Sequence, residues 1–346
     1  MRKGKAAFLL GKQEFVIDEI EVPDCKENEV LIRIKAVGVC GSDAHYFQDG
    51  RIGDQIVPEK FIIGHEASGE VVEIGKNVRS VKPGDRVVIE PGISCGECQF
   101  CITGRPNLCP HVKFLGTPPV IGAFRQYIAM PEKNIIKLPD ELSFAEGTLA
   151  EPLAIALYGV RLSNFQVGDS VVILGTGPIG LSVIFCCKLG GASKIIATEI
   201  IEERAEMAKK IGADYVYLAD KQDIVGEILK NTGNSGVDIA YECAGKQETI
   251  NQMISVSSIG GTSVIFGIPA EDIVSFDPHI VRRKQLPIIT VRRSAFMTEV
   301  VLELMRNSNI KFSSIITHLF PLEKIQEALE IVSTKSNGVI KAIIEP

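Results

Sequence analysis

The chain has 346 residues and nine cysteines, and four of these, Cys95, Cys98, Cys101 and Cys109, share one Gly- and Pro-containing loop as Cys-x2-Cys-x2-Cys-x7-Cys. Incidental free thiols are normally scattered through a core, whereas four thiolates this close satisfy a tetrahedral zinc with no open position, which defines a structural site. A zinc ribbon that touches nucleic acid is the other use of such a loop, but no basic run surrounds it. A second donor set is dispersed: Cys40 in CGSDAH, His65 and Glu66 in GHEASGE, and Glu151 in AEP. Singly, each has a plain reading, such as a core thiol or a turn histidine. Together they supply the three or four S, N and O ligands that hold a catalytic zinc while leaving one position for solvent or substrate.

A third constellation lies at residues 171–199. Val171 to Leu174 is an unbroken apolar run, the pattern of a strand buried on both faces of a parallel sheet. Gly175, Gly177 and Gly180 follow at once, the first for a tight turn, the second for close approach of a pyrophosphate, the third for packing of the next helix on its strand. That helix is expected over Ile179–Leu189, its N-terminus would carry the phosphates, and Pro178 and Ile179 count among the cofactor-binding residues. A second apolar strand ends in Glu199, placed to accept hydrogen bonds from an adenosine ribose and to repel a 2′-phosphate, so the expected cofactor is NAD and not NADP. Arg204, one turn into the next helix, is the single residue that argues for phosphate tolerance, against its plainer reading as a solvated helix charge.

The elements that must position these groups fall into two textures. From Lys5 to about Leu138 short alternating runs, among them Glu29 to Val37, Gly69 to Ile74 and Asp85 to Glu90, are punctuated by Gly and Pro and predict an all-β, barrel-like domain. Ala145 to Leu162 has helical spacing. Beyond Val171 six strands are expected, Val171–Leu174, Lys194–Thr198, Tyr215–Tyr217, Val237–Glu242, Thr262–Phe266 and Leu286–Val291, with helices between most of them, including Glu202–Ile211 capped by Gly212 and Gln247–Val256. A helix Thr298–Ser308, a strand, a helix Glu323–Ser333 and a strand Ile340–Ile344 close the chain. Apolar residues at 45% and charged residues at 23% suit a folded protein, and a net charge of −6 spread along the chain suits neither nucleic acid nor an anionic membrane as partner. No run of eighteen apolar residues and no signal-peptide pattern is seen, so a cytoplasmic location is expected, where clustered thiols bind metal and do not form disulfides.

CGSDAHYFQDGRIG, GHEASGEVVEIGKNV, PGDRV, the four-cysteine loop, EPLA and GTGPIG together resemble the zinc-dependent medium-chain alcohol dehydrogenase family, most of all its sorbitol (L-iditol) and xylitol dehydrogenase branch, over essentially the whole chain. The resemblance implies an α/β chain: residues 1–152 as a GroES-like β-barrel catalytic domain with the structural zinc lobe, 153–291 as an inserted Rossmann domain with a doubly wound, parallel six-stranded sheet, and 292–346 returning to the catalytic domain, with zinc and nicotinamide meeting in the cleft. It implies Cys40, His65 and Glu151 as zinc-site residues, with Glu66 a direct ligand or one replaced by water. It implies, too, a proton relay from Ser42 toward solvent, with His45 as its terminal base. Asp43 is expected to orient His65.

For the substrate, Tyr46 matches a polyol-contacting tyrosine, Glu151 borders the site, and Arg292 matches a substrate-side arginine. The chain departs from its relatives at Arg293, where those enzymes commonly have tyrosine, and paired guanidinium forks suit an acidic or phosphorylated sugar alcohol. Against that, neighbours on a strand face opposite sides, which would send Arg293 to solvent or a subunit partner. Arg282, Arg283 and Lys284 read as a solvated helix end. The activity implied is oxidation of a secondary hydroxyl of a sugar alcohol to a ketose with hydride transfer to NAD. The alternatives are a phosphorylated or acidic polyol as substrate, an L-threonine 3-dehydrogenase, or a non-catalytic sensor of redox state. The resemblance further implies a homotetramer.

Overall fold

A computed structural model describes residues 2–346. The chain divides into two compact units. One gathers the chain up to Glu151 together with Thr298–Asn307 and Ser313–Pro346; the other holds Pro152–Met297 and Ser308–Phe312.

The first unit is built on a seven-stranded sheet ordered Ile135–Lys137, Arg86–Ile89, Glu66–Ile74, Glu29–Gly38, Lys341–Glu345 and Ile316–Pro321, with Tyr127–Pro131 pairing Glu29–Gly38 off that path. The alternation read from the sequence appears as burial. Val30, Ile32, Ile34 and Val37 pack with Val71, Val87, Ile89 and Ile128 in a core that Ala342 and Ile344 of the closing strand complete. Each such side chain contributes roughly 1.5–3 kcal/mol when buried, which is what holds residues from the two ends of the chain in one sheet. The helical pattern over residues 145–162 is broken in two, Phe144–Gly147 and Ala150–Leu162. A capping box opens the first piece: Glu146 N–H donates to Ser143 Oγ at 3.2 Å, and Ser143 N–H donates to Glu146 Oε2 at 2.8 Å. Thr148 Oγ1 then donates to the Ala145 carbonyl at 2.7 Å, a side-chain bond that competes with the helical ladder where the break falls.

The second unit holds a parallel six-stranded sheet ordered Tyr215–Leu218, Lys194–Glu199, Ser170–Leu174, Val237–Glu242, Ser257–Ile265 and Ile288–Thr290. This is the doubly wound order, with the switch point between Ser170–Leu174 and Val237–Glu242. Val171 to Leu174 are all fully buried, as a continuous apolar run requires. The helices Pro178–Leu189, Glu202–Ile211 and Gln247–Val256 stand where the sequence places them, and Ile224–Asn231, absent from that reading, opens with Asp223 Oδ1 accepting from Gly226 N–H at 3.2 Å. Two expectations near residue 290 are corrected. The last strand ends at Thr290, so Arg292 and Arg293 follow it in irregular chain, Arg293 with φ of 55°, and the opposite-faces argument does not apply to them. Lys284 is not a solvated charge: its ammonium donates to the carbonyls of Ile254, Ser255 and Ser257 at 3.0, 2.7 and 2.7 Å, closing the C-terminus of the helix Gln247–Val256. Among the described residues no helix is long and apolar enough to cross a membrane.

Candidate metal centres and cofactor turn

In the cysteine lobe the sulfurs of Cys95 and Cys101 lie 3.8 Å apart, those of Cys98 and Cys101 3.5 Å, and those of Cys109 and Cys95 3.5 Å. A tetrahedron with zinc–sulfur bonds of about 2.3 Å has sulfur–sulfur edges of roughly 3.8 Å, so these thiols fit a zinc ion. The loop prepares one of them for it. The backbone amides of Glu97 and Cys98 pull the Cys95 thiol down to about 6, toward the thiolate that a metal needs.

The dispersed set also converges. Cys40 Sγ, a ring nitrogen of His65 and a carboxylate oxygen of Glu66 all lie within 4.8 Å of one another. Local structure explains how. Cys40 caps the helix Gly41–Asp49, and its amide donates to Asp43 Oδ2 at 2.9 Å; the other oxygen of Asp43 accepts from Gly64 N–H at 3.1 Å and stands 3.8 Å from His65 Nδ1. Asp43 therefore ties the two ligand segments together and faces the imidazole, which Phe114 flanks with its ring centroid 5.5 Å away. Glu66 starts the strand Glu66–Ile74 opposite Gly38, and a side chain at Gly38 would collide with its carboxylate. The fully buried Lys341 pairs with Glu66 Oε2 and donates to the Val39 carbonyl at 3.0 Å, while Glu66 Oε1 has no donor among the described residues.

Electrostatics favour a divalent cation here. Burial, reinforced by Glu66, pushes the Cys40 thiol up to about 12. Burial raises Asp43 against the pull of His65, and it raises Glu151 well above the carboxylate range, with Glu66, Cys40 and Glu90 adding repulsion. Three acids and a thiol thus crowd one lysine, and an ion that keeps the ligands deprotonated would relieve the excess. Glu151, in the first turn of Ala150–Leu162, senses the same charges but lies outside the 4.8 Å cluster. Ser42 lies in the first turn of the helix that Cys40 caps, and His45, one turn along, stands 3.4 Å from Asp49. Tyr46 is only 3% exposed, its ring in the core and its hydroxyl donating to Gln55 at 3.3 Å. Sequence reasoning missed Lys341, Glu90 and Phe114. Only the Gly38–Glu66 register, which no motif records, could have pointed to the lysine.

At the cofactor turn Gly175 has φ of 94° and a Cβ there would meet Ala244 at 2.9 Å, while a Cβ on Gly180 would meet the Gly175 carbonyl oxygen at 2.0 Å. Gly177 alone of the three has room for a Cβ, whose nearest neighbour would be Arg204 Nη1 at an ordinary contact distance of 3.6 Å. A turn with one bare face at the N-terminus of Pro178–Leu189 fits a dinucleotide phosphate. Glu199 ends its strand as expected, but both oxygens are engaged. Thr176 N–H and Oγ1 donate to Oε2 at 2.9 and 3.1 Å, and the amides of Ile200 and Ile201 donate to Oε1 at 2.8 and 3.2 Å. Arg204 is buried beside it, its guanidinium pushed down by desolvation and drawn back up by Glu199.

A family model described as alcohol dehydrogenase GroES-like domain matches residues 26–140, and one described as zinc-binding dehydrogenase matches residues 178–307. Sorbitol dehydrogenase of Bacillus subtilis (strain 168) is 37% identical over 342 residues, covering 99% of this chain and 97% of its own. L-idonate 5-dehydrogenase of Vitis vinifera is 33% identical over 341 residues, 96% of this chain and 93% of its own. The crystal structure of 2R,3R-butanediol dehydrogenase from Bacillus subtilis superposes with a TM-score of 0.90 at 35% identity, covering 99% of each chain.

Proposed function

Because this chain belongs to the zinc-dependent medium-chain alcohol dehydrogenase family, we propose that it oxidises a secondary hydroxyl of a neutral sugar alcohol of the sorbitol, L-iditol or xylitol type to the ketose, with NAD as acceptor. The observation that carries this reading is the buried convergence of Cys40, His65 and Glu66 in a chain that also has a glycine turn open at Gly177. Zinc, when bound, would supply a Lewis acid that lowers the pKa of an alcohol, and nicotinamide would supply the hydride acceptor. The residues do the rest. Cys40 and His65 would hold the ion together with Glu66, Glu151 or both. Asp43 fixes the imidazole, and Lys341 balances the charge of Glu66. Ser42, half-buried in the first turn after Cys40, receives the hydroxyl proton and passes it on toward His45, three residues along the same helix and so on the same face. The buried negative charge of Glu199 disfavours a 2′-phosphate, in keeping with NAD. A spectrophotometric screen of NAD reduction over neutral polyols, aldonates, polyol phosphates and threonine, with metal content measured alongside, tests the assignment. Turnover of threonine alone would overturn the polyol reading, and the absence of turnover with every alcohol would return the chain to a sensor role.

A second reading has a specific observation behind it. Arg292 and Arg293 stand together beyond the last strand, and one relative bears the name of an enzyme acting on L-idonate, an acid. On this reading the substrate is a polyol carrying a carboxylate or phosphate, recognised by guanidinium. Arg293→Ala should then raise KM for an aldonate or polyol phosphate by on the order of tenfold or more while changing that for a neutral polyol little. Equal effects on both substrates would dismiss it.

A further inference from the structure

Three neighbouring strands of the first unit place an anion and a cation on either side of a bare glycine. Gly38 lies opposite Glu66 on one flank and opposite Ile343 on the other, and residues opposite in register share a face. Lys341, two residues before Ile343 and so on that same face, reaches across Gly38 to Glu66 Oε2; a Cβ added to Gly38 would meet the lysine Cε at 2.9 Å. The ammonium is anchored on its other side by the Val39 carbonyl at 3.0 Å, and both charged side chains are only 1% exposed. The pairing divides the carboxylate. Oε2 is held by the lysine, while Oε1 is buried with no donor among the described residues, in the side chain that converges with Cys40 and His65. A buried anionic oxygen left without a donor is costly unless a cation takes it up.

We propose that Lys341 is a positioning residue that limits Glu66 to ligation through one oxygen and so keeps a coordination position of the buried ion vacant for substrate. This rests on, and deepens, the reading of Cys40, His65 and Glu66 as a catalytic ion site. One donor atom from each of the three fills three positions of a tetrahedral ion and leaves the fourth open; a second oxygen from Glu66 would close it. An ammonium on Oε2 prevents this in two ways. It occupies the oxygen, and its charge repels a dication that draws closer to it. The missing side chain at Gly38, at the end of a strand where glycine is otherwise unfavourable, is what lets the ammonium arrive.

The test loads cobalt(II), whose visible absorption is stronger in four-coordinate than in five-coordinate surroundings, into the wild type, Lys341→Met and Cys40→Ser. Subtracting the spectrum of Cys40→Ser, which keeps the cysteine lobe alone, isolates the buried set. A blank wild-type difference spectrum would remove the ion-site reading and this proposal together. With that spectrum present, Lys341→Met should show a weaker visible band, as Glu66 turns its second oxygen to the metal. Competition with a chelator should show cobalt held more tightly than in the wild type, by on the order of tenfold. The sign is diagnostic, because a partner that merely orients a ligand weakens metal binding by about 10–100-fold when it is removed. The proposal falls, with the ion site intact, if Lys341→Met keeps the wild-type band or holds cobalt no more tightly. Should Lys341→Met not fold, Lys341→Gln, which can still donate to the Val39 carbonyl but carries no charge, decides by affinity alone: tighter cobalt supports the proposal, and equal or weaker binding overturns it.

Discussion

The two candidate metal clusters solve opposite electrostatic problems with different architecture. Cys95, Cys98, Cys101 and Cys109 come from one short loop, three of them half-buried and Cys109 buried, and the loop's own amides draw the Cys95 thiol down. Cys40, His65 and Glu66 come from two segments, are held in register by Asp43, and sit in an interior that also contains Glu151 and Glu90. Their balancing cation, Lys341, comes from the last strand of the chain. The lobe is a local device that four thiolates complete. The buried set is a tertiary one, with more negative charge than its lysine can neutralise, and that excess suits an ion with a coordination position left for chemistry.

The largest effect that separates them is catalytic. Cys40→Ser should lower kcat/KM by on the order of 10³ or more and remove one zinc per chain while the lobe keeps its own. Dinucleotide binding should persist, because the glycine turn lies in the other unit. Unaltered turnover with full metal content would break the distinction. Metal analysis and steady-state kinetics on one preparation suffice.

The same contrast explains what could be read in advance. The lobe was legible because four ligands within fifteen residues leave their spacing in the sequence, and the doubly wound sheet was legible because strands buried on both faces are continuous apolar runs. Val237–Glu242, Glu202–Ile211 and Gln247–Val256 fall on the residues where the pattern puts them. The buried set was legible only as motifs. Lys341 is invisible because a lysine between Ile340 and Ala342 reads as the polar position of an edge strand, and only pairing with the first part of the chain turns it inward. Glu90 looks like a turn acid after an apolar strand until Thr298 arrives from 208 residues away to donate to it at 2.7 Å. The helical spacing of residues 145–162 likewise carried no sign of the side-chain bond by which Thr148 interrupts it.

Lys341 gives the next effect in size. Removing one partner of a buried ion pair leaves the other uncompensated, at a cost of roughly 3–5 kcal/mol. Lys341→Met should therefore destabilise the zinc-free protein by about that much and the zinc-loaded protein by less, since the metal compensates Glu66 in its place. Urea unfolding with and without chelator measures the difference. The charge of Glu66 and Cys40 outweighs burial and raises Lys341 above its ordinary value of 10.5. A raised lysine contributes fully below the unfolded value and loses its contribution only as pH climbs through the folded one, so the loss in Lys341→Met should be constant across neutral pH and shrink only at alkaline pH. An equal loss with and without zinc would show that the lysine serves the fold and not the ion site.

Glu90 provides the smallest and most diagnostic effect. Burial raises its carboxyl against the hydrogen bonds from Thr298 and Gly92. An acid with a raised folded pKa holds more protons folded than unfolded, so its penalty is absent below the unfolded value, grows as pH rises toward the folded value, and is complete above it. Glu90→Gln keeps an oxygen for Thr298 while removing the charge, and it should raise the melting temperature at pH 8 yet leave it unchanged near pH 4, with zinc chelated in both cases. Cys109→Ser, which touches only the cysteine lobe, should show no such crossover, because no carboxylate belongs to that cluster. If Glu90→Gln lowered stability at pH 8, the view of the interior set as a crowd of acids awaiting a cation would fail at a member that lies outside the ligand cluster.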